Sequence, residues 1–386
     1  MKFSYALDAT HYHANMQDIG DEIMQKVINE RENYDPKGYV RADVVRALNE
    51  ERLSINGLKA LLSEAGSDFI EQMAQVAKAK TRQFFGNSIE LFTPLYISNY
   101  CDSNCVYCGF SARNKISRLR LKDTQIATEL ENIAKTGLKD VLILTGESTK
   151  KSDLTYIGEA CKQASKLFSN VGVEIYPLNS DEYAYLHECG VDYVVVFQET
   201  YDTEIYAQKH LGGTKRVFSY RFNAQERALM GGMRSVGFAA LLGLANFRKD
   251  ALATALHAHF IQQKYPHAEI TLSVPRLRPT KSDGSVGSDG VSEKELFAVL
   301  CAYRIFLPYA NITISTRESE RFRNGVVGVT ASKISAGVSV GVGEHSKNEK
   351  KGDGQFIISD CRDVEQIYTD MKTLGLAPVM SNHIYV

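Results

Sequence analysis

Cysteine is scarce in this chain. Seven occur among 386 residues, an odd count, and Cys161, Cys189, Cys301 and Cys361 each stand alone. That excludes a secreted disulfide framework, which a chain of this size does not need. The four lone thiols read as small buried residues of a protein kept in a reducing, cytoplasmic compartment. Long apolar runs are also missing: the most apolar stretch, SVGFAALLGLANF, is too short to span a bilayer and contains glycines. The opening segment, MKFSYALDATHYHANMQDIG, lacks the apolar core of a signal peptide. Nor does one sign of charge dominate. The formal net charge is -1, which offers no footprint for nucleic acid or an anionic membrane. What is present, 44% hydrophobic residues, is globular in composition and enough to bury a substantial core.

Strand-like runs are absent from the first 85 residues. RADVVRALNEERLSINGLKALLS and SDFIEQMAQVAKAKTRQFFGN place apolar residues at helical spacing, with Ser67 or Asp68 as a cap for the second. From residue 91 the texture changes. Eight short apolar runs, at 91–98, 140–146, 171–177, 193–200, 235–243, 268–274, 311–316 and 334–340, alternate with amphipathic segments such as DTQIATELENIAKTG and DLTYIGEACKQASKLFS. Continuous apolar strands, each followed by a crossover, are what a parallel sheet buried on both faces requires. Closing eight such units gives an α/β fold, a (β/α)8 TIM-type barrel over residues 86–386, with an N-terminal helical extension over 1–85. An open, doubly wound sheet satisfies the same alternation. The polar stretches at 280–292 and 344–356 read as exposed loops, and no repeat of fixed period appears beyond the βα alternation.

The remaining three cysteines are crowded into YCDSNCVYCGF: Cys101, Cys105 and Cys108, spaced C-x3-C-x2-C, directly after the first strand candidate. A structural zinc site takes four ligands, usually as two separated pairs. Three soft thiolates in one short loop suit an iron–sulfur cluster that keeps one iron free of protein ligands. A non-enzymatic iron–sulfur or zinc-binding protein is the alternative from a different class, although electron carriers usually complete all four ligands. His257 and His259, two apart on a helical stretch, do not share a face and read as ordinary helix residues.

The cysteine spacing, with an aromatic residue before the last cysteine and on the first loop of a (β/α)8 pattern, resembles the radical S-adenosylmethionine (SAM) superfamily. PLYISNYCDSNCVYCGFS, VLILTGES, VVFQETY, VPRLRP and STRES follow in order near strand ends. That series resembles the aromatic amino-acid lyases of the superfamily, in particular the tyrosine lyases of thiamine thiazole biosynthesis, from about residue 40 to the C-terminus. The resemblance implies a [4Fe–4S] cluster on Cys101, Cys105 and Cys108, and S-adenosyl-L-methionine bound to the open iron. It implies a 5′-deoxyadenosyl radical that cleaves the Cα–Cβ bond of L-tyrosine to 2-iminoacetate and 4-cresol. It further implies reduced flavodoxin or ferredoxin as electron donor, and a thiazole synthase with its sulfur-carrier protein as recipients.

Residue by residue, the resemblance sets Tyr107 against the adenine and Glu147 at a SAM contact after the second strand. It sets Glu199 near the ribose hydroxyls, Arg227 at the SAM carboxylate and Arg317 at the substrate carboxylate, with Tyr96 and Ser335 assisting at the amino-acid end. A planar guanidinium suits that task because it pairs with a carboxylate through two hydrogen bonds. Arg276 and Arg278 read as strand-end cations that share in this neutralisation or support their loop. The hydrogenase-maturation tyrosine lyases carry a second cluster on a C-terminal extension. Here Cys361 is the sole cysteine after Cys301, which argues against that branch. Tryptophan lyases share the scaffold and stay open as an alternative.

Overall fold

The computed structural model describes residues 12–278, 290–346 and 350–381. All eight strand candidates become strands: β1 (Ser88–Ser98), β2 (Asp140–Thr145), β3 (Asn170–Glu174), β4 (Tyr193–Val195), β5 (Ser235–Phe238), β6 (Glu269–Ser273), β7 (Asn311–Ile314) and β8 (Lys333–Ser335). Each pairs in parallel with the next, and β8 returns to β1, where Leu91 stands beside Ile334. That closure makes a (β/α)8 barrel and excludes the open sheet. β2 is buried at every position, as a strand covered on both faces must be. A ninth strand not expected from sequence, β9 (Ala377–Val379), pairs in parallel with the start of β1.

Several runs end earlier than their apolar content suggests. β4 and β8 are three residues each. At the rim of the barrel the residues just beyond them keep single backbone bonds to the next strand, Gln198 N to Ala239 O and Ala336 N to Phe92 O, without continuing the ladder. Below that rim the barrel interior is tied by a polar knot: Asp140 accepts from Tyr193 Oη at 2.8 Å, Asn170 Nδ2 at 2.7 Å and Lys333 Nζ at 2.5 Å. Four strands are thus locked by one buried carboxylate whose partners are all supplied.

Among the described residues of the N-terminal part, four α-helices run over Glu22–Glu32, Arg41–Leu48, Ile55–Leu62 and Ile70–Phe85. The long RAD…LLS stretch divides into two because Ser54 caps the second half, accepting from Gly57 N at 2.9 Å. Neither Ser67 nor Asp68 caps the last helix. Both lie in a short 3-10 turn, Phe69 takes the cap position, and Asp68 instead pairs with Arg41 at 2.7 Å. The helix Ile70–Phe85 packs on the barrel helix Glu293–Phe306, and Glu22–Glu32 on Phe247–Lys264, so Val27, Met73 and Ala77 join one core with the barrel. Cys161, Cys189 and Cys301 are buried, whereas Cys361 is exposed, against the expectation that all four lone thiols sit inside. No helix among the described residues is long and apolar enough to cross a membrane.

Arg31 fastens the helical extension to the barrel. Its guanidinium, 1% exposed, meets Asp250 at 3.2 Å and Asp202 at 3.0 Å. Arg31→Ala leaves the fully buried Asp250 with no countercharge, so unfolding stability should fall by roughly 3–5 kcal/mol. A denaturant titration checks this: the midpoint should drop sharply with little change in slope.

Candidate active site

The strand ends carry the chemistry-bearing residues to one face, as in any barrel of this type. The loop from Tyr100 to Phe110 leaves β1 and is held from several sides. Arg118 donates to the carbonyls of Asn99 (2.6 Å), Phe110 (2.9 Å) and Ser111 (2.7 Å). Asp102 N donates to Glu147 O, Asn104 N to Gly212 O and Gly109 N to Gln355 O. The turn after β2 lies so close that a Cβ on Gly146 would fall 2.3 Å from the Tyr100 carbonyl oxygen. Only glycine permits that approach.

Cys101, Cys105 and Cys108 line a single cavity together with Glu147, Glu199 and Lys215. Among the described residues no three His, Cys, Asp or Glu side chains meet at one metal position. Three thiols distributed around one cavity suit a cluster in which each binds its own iron. Burial pushes the Cys101 thiol up to about 12, with the Glu147 carboxylate adding to it, and Cys105 and Cys108 also rise through burial.

Opposite the thiols, two acids and two bases interlock. Lys215 Nζ lies 2.7 Å from Glu199 and 3.5 Å from Glu147, and Arg221 lies 2.8 Å from Glu147 and 3.8 Å from Glu199. Burial alone would raise the Glu199 carboxyl, but Lys215 and Arg221 outweigh it and hold it below the usual carboxylate range. Glu199 also has φ 71°, the one left-handed residue besides glycine among those described. Such a conformation is strained for a side chain with Cβ and is kept where a site requires it. Glu147 Oε2 is buried here without a partner among the described residues, and so invites a polar ligand.

Tyr107 lines the neighbouring cavity with Glu199, Lys215 and Arg317. Its hydroxyl lies 2.8 Å from His210 Nε2, while His210 Nδ1 lies 2.8 Å from the Tyr206 carbonyl. A carbonyl only accepts, so Nδ1 carries the proton and Nε2 accepts from Tyr107. Burial, then Lys215, pushes His210 down to about 3, which keeps the ring neutral.

A second cavity descends into the barrel and shares Tyr96, Glu174 and Gln355 with the thiol cavity. Arg317 stands at its rim, its guanidinium carbon 3.5 Å above the Phe356 ring, and no carboxylate among the described residues pairs with it. Burial lowers its pKa. Tyr96 Oη donates to Gln355 Oε1 at 2.9 Å. Ser335 lines the same wall, with its carbonyl held by Arg323.

Of the residues expected from sequence, Cys101, Cys105, Cys108, Tyr107, Glu147, Glu199, Tyr96, Arg317 and Ser335 all come to these joined cavities. Arg227 does not. It is fully buried among helices, stacks 3.8 Å from the Tyr220 ring, and donates to the carbonyls of Leu178 and Tyr220. The arginine that faces the thiols is Arg221, six residues earlier. Arg276 and Arg278 both turn to Glu318, at 2.9 Å and 3.2 Å, which ties their loop. His257 stacks on Phe222 at 3.9 Å between centroids, and His259 meets Gln263 at 3.0 Å.

Four further residues escaped the sequence reading: Lys215, Arg221, Glu174 and Gln355. Glu174 ends β3 where the cavities meet, and burial followed by repulsion from Glu199 raises its carboxyl to about 7. Gln355 belongs to a stretch expected to be an exposed loop. Its last residues instead fold over the site, with Gln355 Nε2 3.7 Å from Cys108 Sγ. The other stretch expected to be exposed, 280–292, lies mostly outside the described residues.

A closed parallel barrel with three thiols grouped over its strand ends defines a class, the radical SAM proteins. The Radical SAM superfamily model matches residues 95–255, and the Biotin and Thiamin Synthesis associated domain model matches residues 273–377. The 2-iminoacetate synthase of Salmonella typhimurium is 37% identical over 343 residues, covering 89% of this chain and 90% of that protein. The Escherichia coli 2-iminoacetate synthase matches with the same identity and coverage. Among solved structures, the FeFe-hydrogenase maturase HydG of Carboxydothermus hydrogenoformans superposes with a TM-score of 0.85 at 28% identity, covering 95% of this chain and 86% of that one. The chain belongs to the 2-iminoacetate synthase family, which are radical SAM carbon–carbon lyases.

Proposed function

We propose that this protein cleaves L-tyrosine between Cα and Cβ, yielding 2-iminoacetate and, after uptake of one electron and one proton, 4-cresol. The observation that carries the reading is the unpaired Arg317 at the rim of a barrel cavity that opens into the thiol-lined cavity. A [4Fe–4S] cluster and SAM, when bound, supply the 5′-deoxyadenosyl radical that takes a hydrogen atom from the substrate. Cys101, Cys105 and Cys108 hold the cluster. Glu199 is fixed as a carboxylate by Lys215 and Arg221, so it accepts from a ribose diol without itself giving up a proton. Arg221 and Lys215, rather than Arg227, supply positive charge for the SAM carboxylate, with Glu147 facing its ammonium group and Tyr107 its adenine.

Arg317 takes the substrate carboxylate, while Tyr96 and Ser335 position the amino-acid end. The shared wall of Tyr96, Glu174 and Gln355 then brings the substrate amine next to the thiol cavity. Reduced flavodoxin or ferredoxin fits as the electron donor, and a thiazole synthase with its sulfur-carrier protein as the recipient of the imine. The compartment that keeps such a cluster intact is a reducing cytoplasm.

The test is product analysis after anaerobic reconstitution with iron and sulfide, followed by SAM, dithionite and each aromatic amino acid. Tyrosine should give 4-cresol with glyoxylate, the hydrolysis product of free 2-iminoacetate, and negligible carbon monoxide or cyanide. The relatives that this chain matches over 90% of their length are named 2-iminoacetate synthases, and the imine is accordingly the product expected here. Methylindole from tryptophan with no cresol from tyrosine would overturn the reading.

A further inference from the structure

The cavity below Arg317 is apolar along most of its wall, where Phe92, Leu142 and Val195 face inward. Three hydroxyls break that wall on one side: Thr271 and Ser273 of β6, and Thr313 of β7. Alternation puts Thr271 and Ser273 on the same face of their strand, and the register sets Ser273 directly beside Thr313. The three therefore form one contiguous polar patch.

None of these hydroxyls has a hydrogen-bond partner among the described residues. The polar groups next to them are different, Lys333 lying beside Thr313 in register. Lys333 is spent on Asp140 at 2.5 Å, and Tyr193 Oη on the same carboxylate at 2.8 Å. The patch thus offers three neutral hydroxyls with free hydrogen-bonding capacity, whereas its charged neighbour Lys333 and Tyr193 are both drawn to one carboxylate. Polar groups facing an apolar enclosure are costly unless something pairs with them.

Depth indicates what pairs. Thr313 and Arg317 line the same cavity and are four residues apart, so their Cα atoms are separated by at most about 13 Å. A substrate whose carboxylate pairs with Arg317 and whose ring runs down this cavity points its para position toward the wall that carries these hydroxyls.

We propose that Thr271, Ser273 and Thr313 form the subsite that reads the phenol hydroxyl of the substrate and selects tyrosine over amino acids without it. This rests on the tyrosine reading above. A phenol both donates and accepts, and rotatable Ser and Thr hydroxyls do the same, so the patch meets it without any charge. Phenylalanine leaves the three groups unpaired, and an indole offers a lone N–H donor at a different place. A site built to pair a substrate hydroxyl rejects the analogue lacking it far more strongly than an apolar pocket rejects an added group.

The experiment compares the reconstituted, SAM-loaded protein with the triple variant Thr271→Val, Ser273→Ala, Thr313→Val, which removes the hydroxyls at nearly constant shape. Equilibrium dialysis measures binding of tyrosine and phenylalanine, and 4-cresol formation is followed in parallel. The unsubstituted protein should prefer tyrosine by at least about 100-fold. In the variant the preference should drop below about 10-fold, with phenylalanine bound as well as before or better. If the triple variant does not fold, the three single variants are compared in the same way, and each should narrow the ratio. A folded variant that keeps the full tyrosine preference overturns the subsite while leaving the tyrosine reading intact. An unsubstituted protein that binds tyrosine no better than phenylalanine and forms no cresol overturns that reading, and the subsite with it.

Discussion

Cys105→Ala should yield a folded protein that retains neither the iron nor the sulfide of a [4Fe–4S] cluster and has no detectable turnover. Cys105 is the middle cysteine of the loop, 3% exposed and bridged through its backbone to His210. Alanine keeps that backbone pairing and removes only the sulfur. Each thiolate would hold a different iron, so two remaining thiolates cannot replace the third. Loss of a ligand in such a loop is therefore close to all-or-none. Cys361→Ala is the matched control, since that thiol is exposed and does not line the thiol cavity. Iron and sulfide analysis after anaerobic reconstitution, with circular dichroism to confirm folding, separates the two variants. One zinc and no sulfide in the unsubstituted protein would remove the radical chemistry altogether.

What could be read from sequence, and what could not, divides along locality. The proposed cluster ligands are three identical soft donors at fixed spacing in eight residues, so no tertiary knowledge is needed to group them. The strands were legible because burial on both faces makes each a continuous apolar run. Their ends were not, because Val196 and Phe197 stay apolar although the regular ladder of β4 has already ended at Val195. β9 escaped for a related reason. It is three residues at a sheet edge with Pro378 inside, a residue tolerated there because an edge strand needs no second set of donors. Arg221 escaped because its partner Glu147 lies 74 residues away. Nothing local separates it from Arg227, and only the packing of the helices shows that one guanidinium faces the thiols while the other satisfies carbonyls. Gln355 lies in a glycine- and lysine-rich stretch whose composition signals a solvated loop. Its fold-back depends on Gly109 donating to its carbonyl across nearly 250 residues, which composition does not record.

Arg317→Ala should reduce kcat/KM for tyrosine by about 30- to 5,000-fold, the equivalent of roughly 2–5 kcal/mol for removing one partner of a desolvated charged pair. The argument starts from what the guanidinium lacks. The other arginines that line these cavities each have an acid: Arg221 has Glu147, and Arg278 shares Glu318 with its neighbour Arg276. Arg317 has the Phe356 ring beneath it and an open cavity in front of it, and burial pulls its pKa down because no acid among the described residues pairs with it. A cation kept desolvated in this way is stabilised when a carboxylate arrives, and the planar fork fixes that carboxylate at two points. Lysine in its place retains the charge but not the fork, so Arg317→Lys should recover part of the loss. Arg317 is not among the residues lining the thiol cavity, so cluster content should not change. SAM binding should also be largely retained, which makes the loss specific to the amino acid. Measuring cresol formation against tyrosine concentration, alongside iron content and SAM binding, distinguishes this from general damage. Full cresol formation by Arg317→Ala would mean that the substrate carboxylate is held elsewhere, and it would remove the anchor from which the depth of the cavity is counted.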